Sequence, residues 1–476
     1  MKNNFLIILL AGFSLLNIGC GANSSLNKNK NEAAITSKGE ALDILRKVND
    51  AWQGNNPEHR NAFWHRAAYH TGNMAAYEVT KEERYLDFST AWAEKNEWKG
   101  AKSDDRSNWK YSYGETDDFV LFGDWQTCFQ VYADLYNLDP ADHKIARAIE
   151  VMEYQMSTPQ NDYWWWADGL YMVRPVLTKL YNITENELYL SKLYEYFSFA
   201  KELMYDEESG LFYRDAKYIY PEHKTNKGEK DFWARGNGWV FAGLAKVLED
   251  LPLNDTHRDE YIQVYQAMAA SLKNAQQAEG YWSRSILDLQ QAPGYETSGT
   301  AFFVYGYLWG LNNGLLNEAE YLATAEKGWE YLTEIALQEN GIVGYVQPIG
   351  ERADQHSNVG PETTSDFGVG AFLLAASEMA KHAESKTSFT PGAIWRDDQG
   401  KHINAHGGGI IYHKGAYYWY GEHRPNRGYI TEEGVTCYTS KDLYNWKNEG
   451  VVLKVSEDEN SPIVKGCIIE RPKVIY

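Results

Sequence analysis

Cysteine is scarce. Cys20, Cys128, Cys437 and Cys467 are the whole complement in 476 residues, and their spacings fit neither a zinc pattern nor a disulfide framework. Positive charge is outweighed, with 46 Lys and Arg against 66 Asp and Glu, for a formal net charge of −20. A surface of that sign does not neutralise phosphates, so nucleic acid is excluded as a partner. An anionic ligand would need Arg or Lys placed locally against the global field. No metal site and no cofactor are expected. His65 and His70 are five apart in a Trp- and Tyr-rich stretch and read as packing or hydrogen-bonding residues. Aromatics, by contrast, are abundant: 14% of the chain, with 17 Trp and 35 Tyr. Hydrophobic residues reach 43%, enough for a sizeable core, and the length favours more than one domain.

The first residues read as a targeting segment. Met1-Lys2-Asn3-Asn4 is a short positive head, and Phe5 to Leu16 is an apolar run too short to span a bilayer. Leu15-Leu16-Asn17-Ile18-Gly19-Cys20 closes it on a small residue and a cysteine. The arrangement resembles a bacterial lipoprotein signal over residues 1–20, with Cys20 as the lipidated first mature residue. That resemblance implies a membrane anchor at Cys20 and a place in the cell envelope of a bacterium, periplasmic or on the outer-membrane surface. Asn17 is atypical for such a signal, so ordinary secretion with cleavage nearby stays open. Residues 21–39 are polar and turn-rich, a flexible tether.

Residues 40–385 carry helical periodicity. Apolar residues recur every three or four positions in ALDILRKVNDAW, CFQVYADLYNL, LYEYFSFAKELMY, VFAGLAKVLEDL, YIQVYQAMAASL, AEKGWEYLTEIAL and VGAFLLAASEMAKH. Turn signals such as NLDP, EDLPLND and QENGIVG separate these segments. Six stations bearing glycine or an acid enter apolar helices roughly 45 to 70 residues apart, one helical hairpin per station. They lie at Tyr69 and Gly72, at Asp124, at Asp168, at Arg235 and Trp239, at Glu296, and at Asp366. Six hairpins closing on themselves predict an (α/α)6 barrel whose inner helices start at one mouth. Polar residues at those starts would converge there, where helix N-termini also attract anions.

The third station, YWWWADGLYMVRP, places Asp168 behind three tryptophans. An indole-walled carboxyl is destabilised as an anion, so it can hold a proton near neutral pH and act as a general acid. Flat indole faces, Trp166 among them, suit a sugar ring. Helix capping by Asp168 is the competing explanation. In the fourth, FWARGNGW, Arg235 and Trp239 are four apart and share a helix face. A guanidinium beside an indole grips a sugar carboxylate and packs the ring together.

These motifs resemble the unsaturated uronyl hydrolases of glycoside hydrolase family 105 and its relative, family 88. WWWADGLYM, WARGNGWV, YETSGTAFFVYGYLWGLNNGLL and TTSDFGVGAFLLAASE carry the resemblance in order, from about Asp50 to Lys381. It implies an (α/α)6 fold and action on oligosaccharides with a 4,5-unsaturated uronic acid at the non-reducing end. Carried over by motif, Asp168 is the general acid/base, Asp124 the second carboxylate, and Arg235 and Trp239 bind substrate, with Tyr69 a weaker match. Family members often have a histidine in the hairpin before the arginine motif. Here Leu211-Phe212-Tyr213-Arg214-Asp215 puts Arg214 or Asp215 there, so Arg214 is a candidate second contact for a carboxylate or sulfate, or a surface partner of Asp215 or Glu229. Two other functions stay open: a non-catalytic glycan-binding surface lipoprotein, and a related lyase or dehydratase.

After a linker at 386–394 the period changes to two. IIYHKGAYYWYGEH, GVTCYTSKDLYNWKNEGVVL and CIIERPKVIY alternate, with turns expected at Lys414-Gly415 and Asn448-Glu449-Gly450. Residues 395–476 resemble the first blades of a five-bladed β-propeller of glycoside hydrolase family 43, with Glu470 of ERPK in the sugar pocket of intact relatives. About 90 residues cannot supply five four-stranded blades, so a truncated propeller without activity of its own is expected.

Overall fold

A computed structural model describes residues 36–385 apart from 357, and 394–397, 401–424, 433–440, 443–444 and 446–475. The targeting segment with Cys20, and nearly all of the 386–394 linker, lie outside the described residues.

Helices fill the first part. They are α1 (Lys38–Asn55), α2 (Trp64–Thr80), α3 (Glu83–Lys95), α4 (Gly123–Gln126), α5 (Cys128–Leu138), α6 (Ala146–Ser157) and α7 (Gly169–Met172). There follow α8 (Arg174–Thr184), α9 (Leu188–Met204), α10 (Ala234–Asp250), α11 (Arg258–Ala275), α12 (Thr297–Asn312), α13 (Glu318–Tyr331) and α14 (Asp366–Ser385). Each helical segment expected from periodicity overlaps one of these, and AEKGWEYLTEIAL runs on from α13 through a wide π-helical turn at Leu332–Ala336. Local chemistry sets some starts. Ser37 caps α1 by accepting from the Glu40 amide at 3.2 Å, while Glu40 accepts the Ser37 amide at 2.9 Å. Pro175 sits in the first turn of α8, where no amide hydrogen is needed.

Neighbours follow a closed circuit. α2 packs on α5, α5 on α8, α8 on α10, α10 on α12, α12 on α14, and α14 returns to α2. α3, α9, α11, α13 and α1 back α2, α8, α10, α12 and α14 respectively. The inner α12 is apolar on every side, as a helix buried all round must be. Where α14 meets α2 the backbones touch. A β-carbon on Gly72 would lie 2.3 Å from the Gly370 carbonyl oxygen, and one on Gly370 would lie 2.3 Å from that of Ala68. Only paired glycines allow that approach.

A short hairpin of β1 (Tyr205–Asp206) and β2 (Leu211–Phe212) interrupts the helices. The second part is an antiparallel meander of β3 (His406–His413), β4 (Ala416–Glu422), β5 (Gly434–Ser440) and β6 (Lys447–Lys454) in that order. Lys414 and Gly415 both have positive φ, 47° and 85°, and form the expected two-residue turn. The turn expected at Asn448–Gly450 is instead a bulge inside β6. Gly450 takes a φ of 84°, and the register with β5 shifts between Cys437 and Tyr438. CIIERPKVIY, read as a strand, has no strand among its described residues, and Glu470 is exposed. Alternation makes a strand only where a ladder is available to pair with. The sheet's own core is small: Ile403, Ala405, Tyr438 and Trp446.

Candidate active site

The starts of α7, α10 and α12 are held in one repeating way. The amide of Ala167 donates to the Arg214 carbonyl at 2.8 Å, that of Ala234 to Arg284 at 2.8 Å, and that of Thr297 to Tyr345 at 2.9 Å. In each case a later extended segment pins an inner helix at its first turn. At the third station an antiparallel bridge between Trp166 and Asp215 completes the link and sets Arg214 beside Asp168.

Two carboxylates meet here with little water around them. Asp124 is 7% exposed and Asp168 8%. Neither is a helix cap in function. Asp168 occupies the residue before α7, but its side chain accepts no capping hydrogen bond from the helix amides. Asp124 lies inside α4, after Gly123, and its carboxyl accepts no hydrogen bond among the described residues. Burial pushes Asp124 well above the usual carboxylate range, and the nearby charge of Asp168 adds to the effect against Arg214. Burial also raises Asp168, but Arg214 and then Arg235 oppose it.

Arg214 is the cation in contact. Its Nε lies 3.5 Å from Asp168 Oδ2, an ion pair too long to be a hydrogen bond, and both atoms lack a hydrogen-bond partner. Its Nη1 donates to Asp215 Oδ2 at 2.6 Å and lies 3.7 Å from Glu351 Oε2. The guanidinium also stands over the partly exposed Trp165 ring at 5.8 Å. Of the surface partners considered for Arg214, Asp215 is the one it meets.

Arg235 is buried between two rings. They are Trp233 at 4.6 Å and Phe367 at 4.7 Å, and not the Trp239 expected to share its helix face. It donates to the carbonyls of Gln347 at 2.6 Å and Pro348 at 2.8 Å, leaving Nε without a partner. Burial pulls its pKa down to about 10, against the pull of Glu296 and Asp168. Trp239 turns away into the core, fully buried among Trp64, Tyr171 and Phe302. The i, i+4 relation sets a shared face, and here that face is mostly core. Only the residue in the first turn reaches the mouth.

Trp166 is also spent on packing. It is 2% exposed, stacks on Phe122 at 5.0 Å, and fills the space between the starts of α4 and α7. The ring facing outward from the tryptophan run is Trp165. Tyr69, in the second turn of α2, faces α1. Its hydroxyl donates to Asn49 at 2.7 Å and accepts from Gln53 at 3.1 Å. The α2 start instead contributes His65 and Arg66, both bonded to Asp366, with His65 Nδ1 at 2.7 Å. His70 stacks on Trp92 at 4.0 Å and bonds Ser89, a packing and hydrogen-bonding role. Glu296 is a buried cap of α12, accepting from the Ser298 and Gly299 amides at 2.9 and 2.7 Å.

Three groups at this mouth escape a motif reading. Tyr113 is 64% exposed, packs edge-on to Phe122 at 5.7 Å, and feels both Asp124 and Arg214. Glu115 bears on Asp124 from the same loop. Glu351 joins Arg214 to Lys217, 2.9 Å away. All three sit on connecting segments, where periodicity carries no signal.

Residues 36–383 match the profile described as Glycosyl Hydrolase Family 88. An unsaturated 3S-rhamnoglycuronyl hydrolase from Alteromonas sp. strain LOR is 38% identical over 219 residues, 45% of this chain. The aligned part spans only about half (51%) of that relative's length. A second protein of that description, from Formosa agariphila, is 31% identical over 335 residues, 67% of this chain and 85% of its own length. Among solved structures, one described as a polysaccharide lyase is 63% identical with a TM-score of 0.72, covering 74% of this chain and 99% of its own. The resemblance read from the station motifs was to family 105 and its relative family 88. With the profile match over most of the helical region, the chain belongs to Glycosyl Hydrolase Family 88.

Proposed function

We propose that the protein hydrolyses 4,5-unsaturated uronic acid residues from the non-reducing ends of lyase-generated oligosaccharides. The helical circuit is then an (α/α)6 barrel, with its pocket at the mouth where the inner helices start. In the reaction a proton is added to C4 of the vinyl ether and water to C5. The resulting hemiketal opens by breaking the bond from C5 to the ring oxygen, and the hemiacetal left at C1 expels the leaving sugar. No glycosidic oxygen is displaced by an enzyme nucleophile, so the carboxylate-spacing rule for retaining and inverting enzymes does not apply.

The observation that carries this reading is the pair Asp124 and Asp168, both almost buried, with a guanidinium on one of them only. One un-ionised carboxyl and one carboxylate side by side are what protonation of an alkene and deprotonation of water need. Arg235, with Nε unbonded, supplies positive charge for the substrate carboxylate. Trp165 and Tyr113 offer exposed faces for sugar rings. Trp166 and Trp239 act by packing beneath them. A pure glycan binder has no use for an unpaired buried acid, whose presence costs stability.

A lyase on the same scaffold is the second reading. It is favoured by the description of the 63%-identical structure and by the Arg214–Asp168 ion pair, which suits a base more than an acid. Ultraviolet absorbance of the conjugated double bond separates the two on a panel of lyase-generated oligosaccharides. Hydrolysis makes the band decay, whereas a lyase acting on intact polysaccharide makes it grow. Asp168→Asn should lower turnover by about 10²–10⁴-fold and keep binding. Full activity in that variant refutes the assignment. The remaining proposals are a lipid anchor at Cys20 holding the enzyme at the bacterial envelope, and a propeller-like β-sheet over residues 395–476. Globomycin-sensitive processing and membrane fractionation test the first.

A further inference from the structure

The sequence gives Asp168 the proton because three tryptophans precede it. The contacts favour the reverse. Asp168 has a guanidinium at 3.5 Å, held by the 2.8 Å hydrogen bond from the Ala167 amide to the Arg214 carbonyl and by the Trp166–Asp215 bridge. That link fixes the Arg214 backbone beside Asp168, and the 2.6 Å hydrogen bond to Asp215 holds its guanidinium there. Among the described residues, Asp124 has no side-chain hydrogen bond and no cation within ion-pair distance. We propose that Arg214 divides the labour of the two carboxylates: Asp168 is the ionised group that orients and deprotonates the water, and Asp124 is the group that carries the proton to C4.

The groups around the pair are consistent with this division. Asp168 faces Arg214, Arg235 and Asp215 as well as Asp124. Asp124 faces Asp168, Glu115 and Arg214, with Tyr113 alongside. Glu351 and Asp215 share Arg214, yet it still leans on Asp168. Two arginines, one of them in ion-pair contact, outweigh Asp215 at Asp168, whereas at Asp124 the more distant charge of Arg214 is set against Asp168 and Glu115. An opposite charge at such range favours the ionised form by about 1 to 3 pH units, and a like charge favours the protonated one.

The step balances. The O–H bond of Asp124 breaks as a C–H bond forms at C4 and the double-bond electrons move. Water oxygen bonds to C5 while its proton passes to Asp168. After one turnover Asp124 is ionised and Asp168 protonated, and a proton relayed through solvent from Asp168 to Asp124 resets them. The substrate gains one water and no other reagent is consumed. Arg214 touches no reacting atom in this scheme; it is a positioning residue acting through Asp168.

The inference rests on the proposed hydrolysis, and one experiment separates their failures. The pH dependence of kcat/KM is measured on lyase-generated oligosaccharides by loss of the double-bond absorbance. A wild-type protein that never consumes the double bond refutes the function, and the division of labour with it. Given turnover, the acid limb reports Asp168 and the alkaline limb Asp124. Arg214→Gln should move the acid limb up by about 1 pH unit or more, leave the alkaline limb much less changed, and be largely reversed in Arg214→Lys. Residual activity of Asp124→Asn should lack the alkaline limb, and that of Asp168→Asn the acid limb, which tests the assignment without perturbing Arg214. A shift confined to the alkaline limb, or limbs lost in the opposite variants, overturns the division while leaving the hydrolysis intact.

Discussion

The turns that carry Asp124 and Asp168 share an outline, although the acid follows the glycine in the first and precedes it in the second. Each is a four-residue helix, Gly123–Gln126 or Gly169–Met172, that breaks and re-forms as a longer inner helix, α5 or α8. Each has its glycine against the same indole, Trp166. The two acids end up equally buried, at 7% and 8% exposure. They differ in what a distant segment brings. Arg214 reaches Asp168 from beyond α9, and among the described residues no cation makes an ion pair with Asp124. Like local design thus fixes like desolvation, and charge delivered from another part of the chain makes the two groups chemically distinct.

The sharpest way to break that comparison is to remove either carboxylate. Asp124→Asn and Asp168→Asn should each lower kcat/KM by about 10²–10⁴-fold in the absorbance assay, the range for a lost proton-transfer group. Near-wild-type activity in one would leave the other working alone. Removing the shared wall comes next. Trp166→Ala should cost about 3–5 kcal/mol in denaturant unfolding, because both turns lean on that ring.

The glycines test whether the two turns are as alike as they look. A β-carbon on Gly123 would meet Val173 Cγ2 at 2.8 Å and Trp166 Cη2 at 3.1 Å, whereas one on Gly169 meets nothing closer than 3.4 Å. Gly123→Ala should therefore cost about 1–3 kcal/mol, and Gly169→Ala clearly less, by the same unfolding measurement.

The charge difference has a stability signature. Both acids titrate higher in the folded protein than in the unfolded chain, Asp124 more so because Arg214 pairs with Asp168. The folded state is then the tighter proton binder. Its advantage is complete below the unfolded carboxylate pKa and is lost as pH rises through the folded one. Asparagine mimics the protonated form, so the gain in melting temperature from Asp124→Asn should be absent in acid, grow with rising pH, and exceed that of Asp168→Asn. The smallest effect belongs to the rim. Tyr113→Ala should raise KM with little change in kcat, losing about 0.5–1.5 kcal/mol of ring stacking.

Periodicity made the helices legible. CFQVYADLYNL is α5 residue for residue, three other segments fall within α1, α11 and α14, those at α9 and α10 run one residue past the helix, and AEKGWEYLTEIAL runs past α13. The stations were legible because glycine and acid recur at helix starts, and five of the six do lie at or beside one: Asp124, Asp168, Arg235, Glu296 and Asp366. Which way a station residue points was not legible. Tyr69 and Trp239 share faces with polar neighbours in the sequence, yet both are buried, one bonded to α1 and the other among core rings. Nor does local sequence distinguish Glu296, a cap, from Asp168, which is not one, since both precede a helix by one residue. The C-terminal alternation gave four strands where partners stand alongside, and none over the described residues after Cys467.

By itself the sequence determined most of the helical and extended stretches and the repeat of helix starts that carry Asp124, Asp168 and Arg235. Those follow from short-range spacing and residue chemistry, which survive without knowing the fold. Only the tertiary structure decided that Arg214 stands on Asp168 and not on Asp124, and that Trp165 rather than Trp166 faces outward. A charge acts over a few ångströms of space, whatever the separation along the chain, so which carboxylate keeps its proton is settled where the segments pack together.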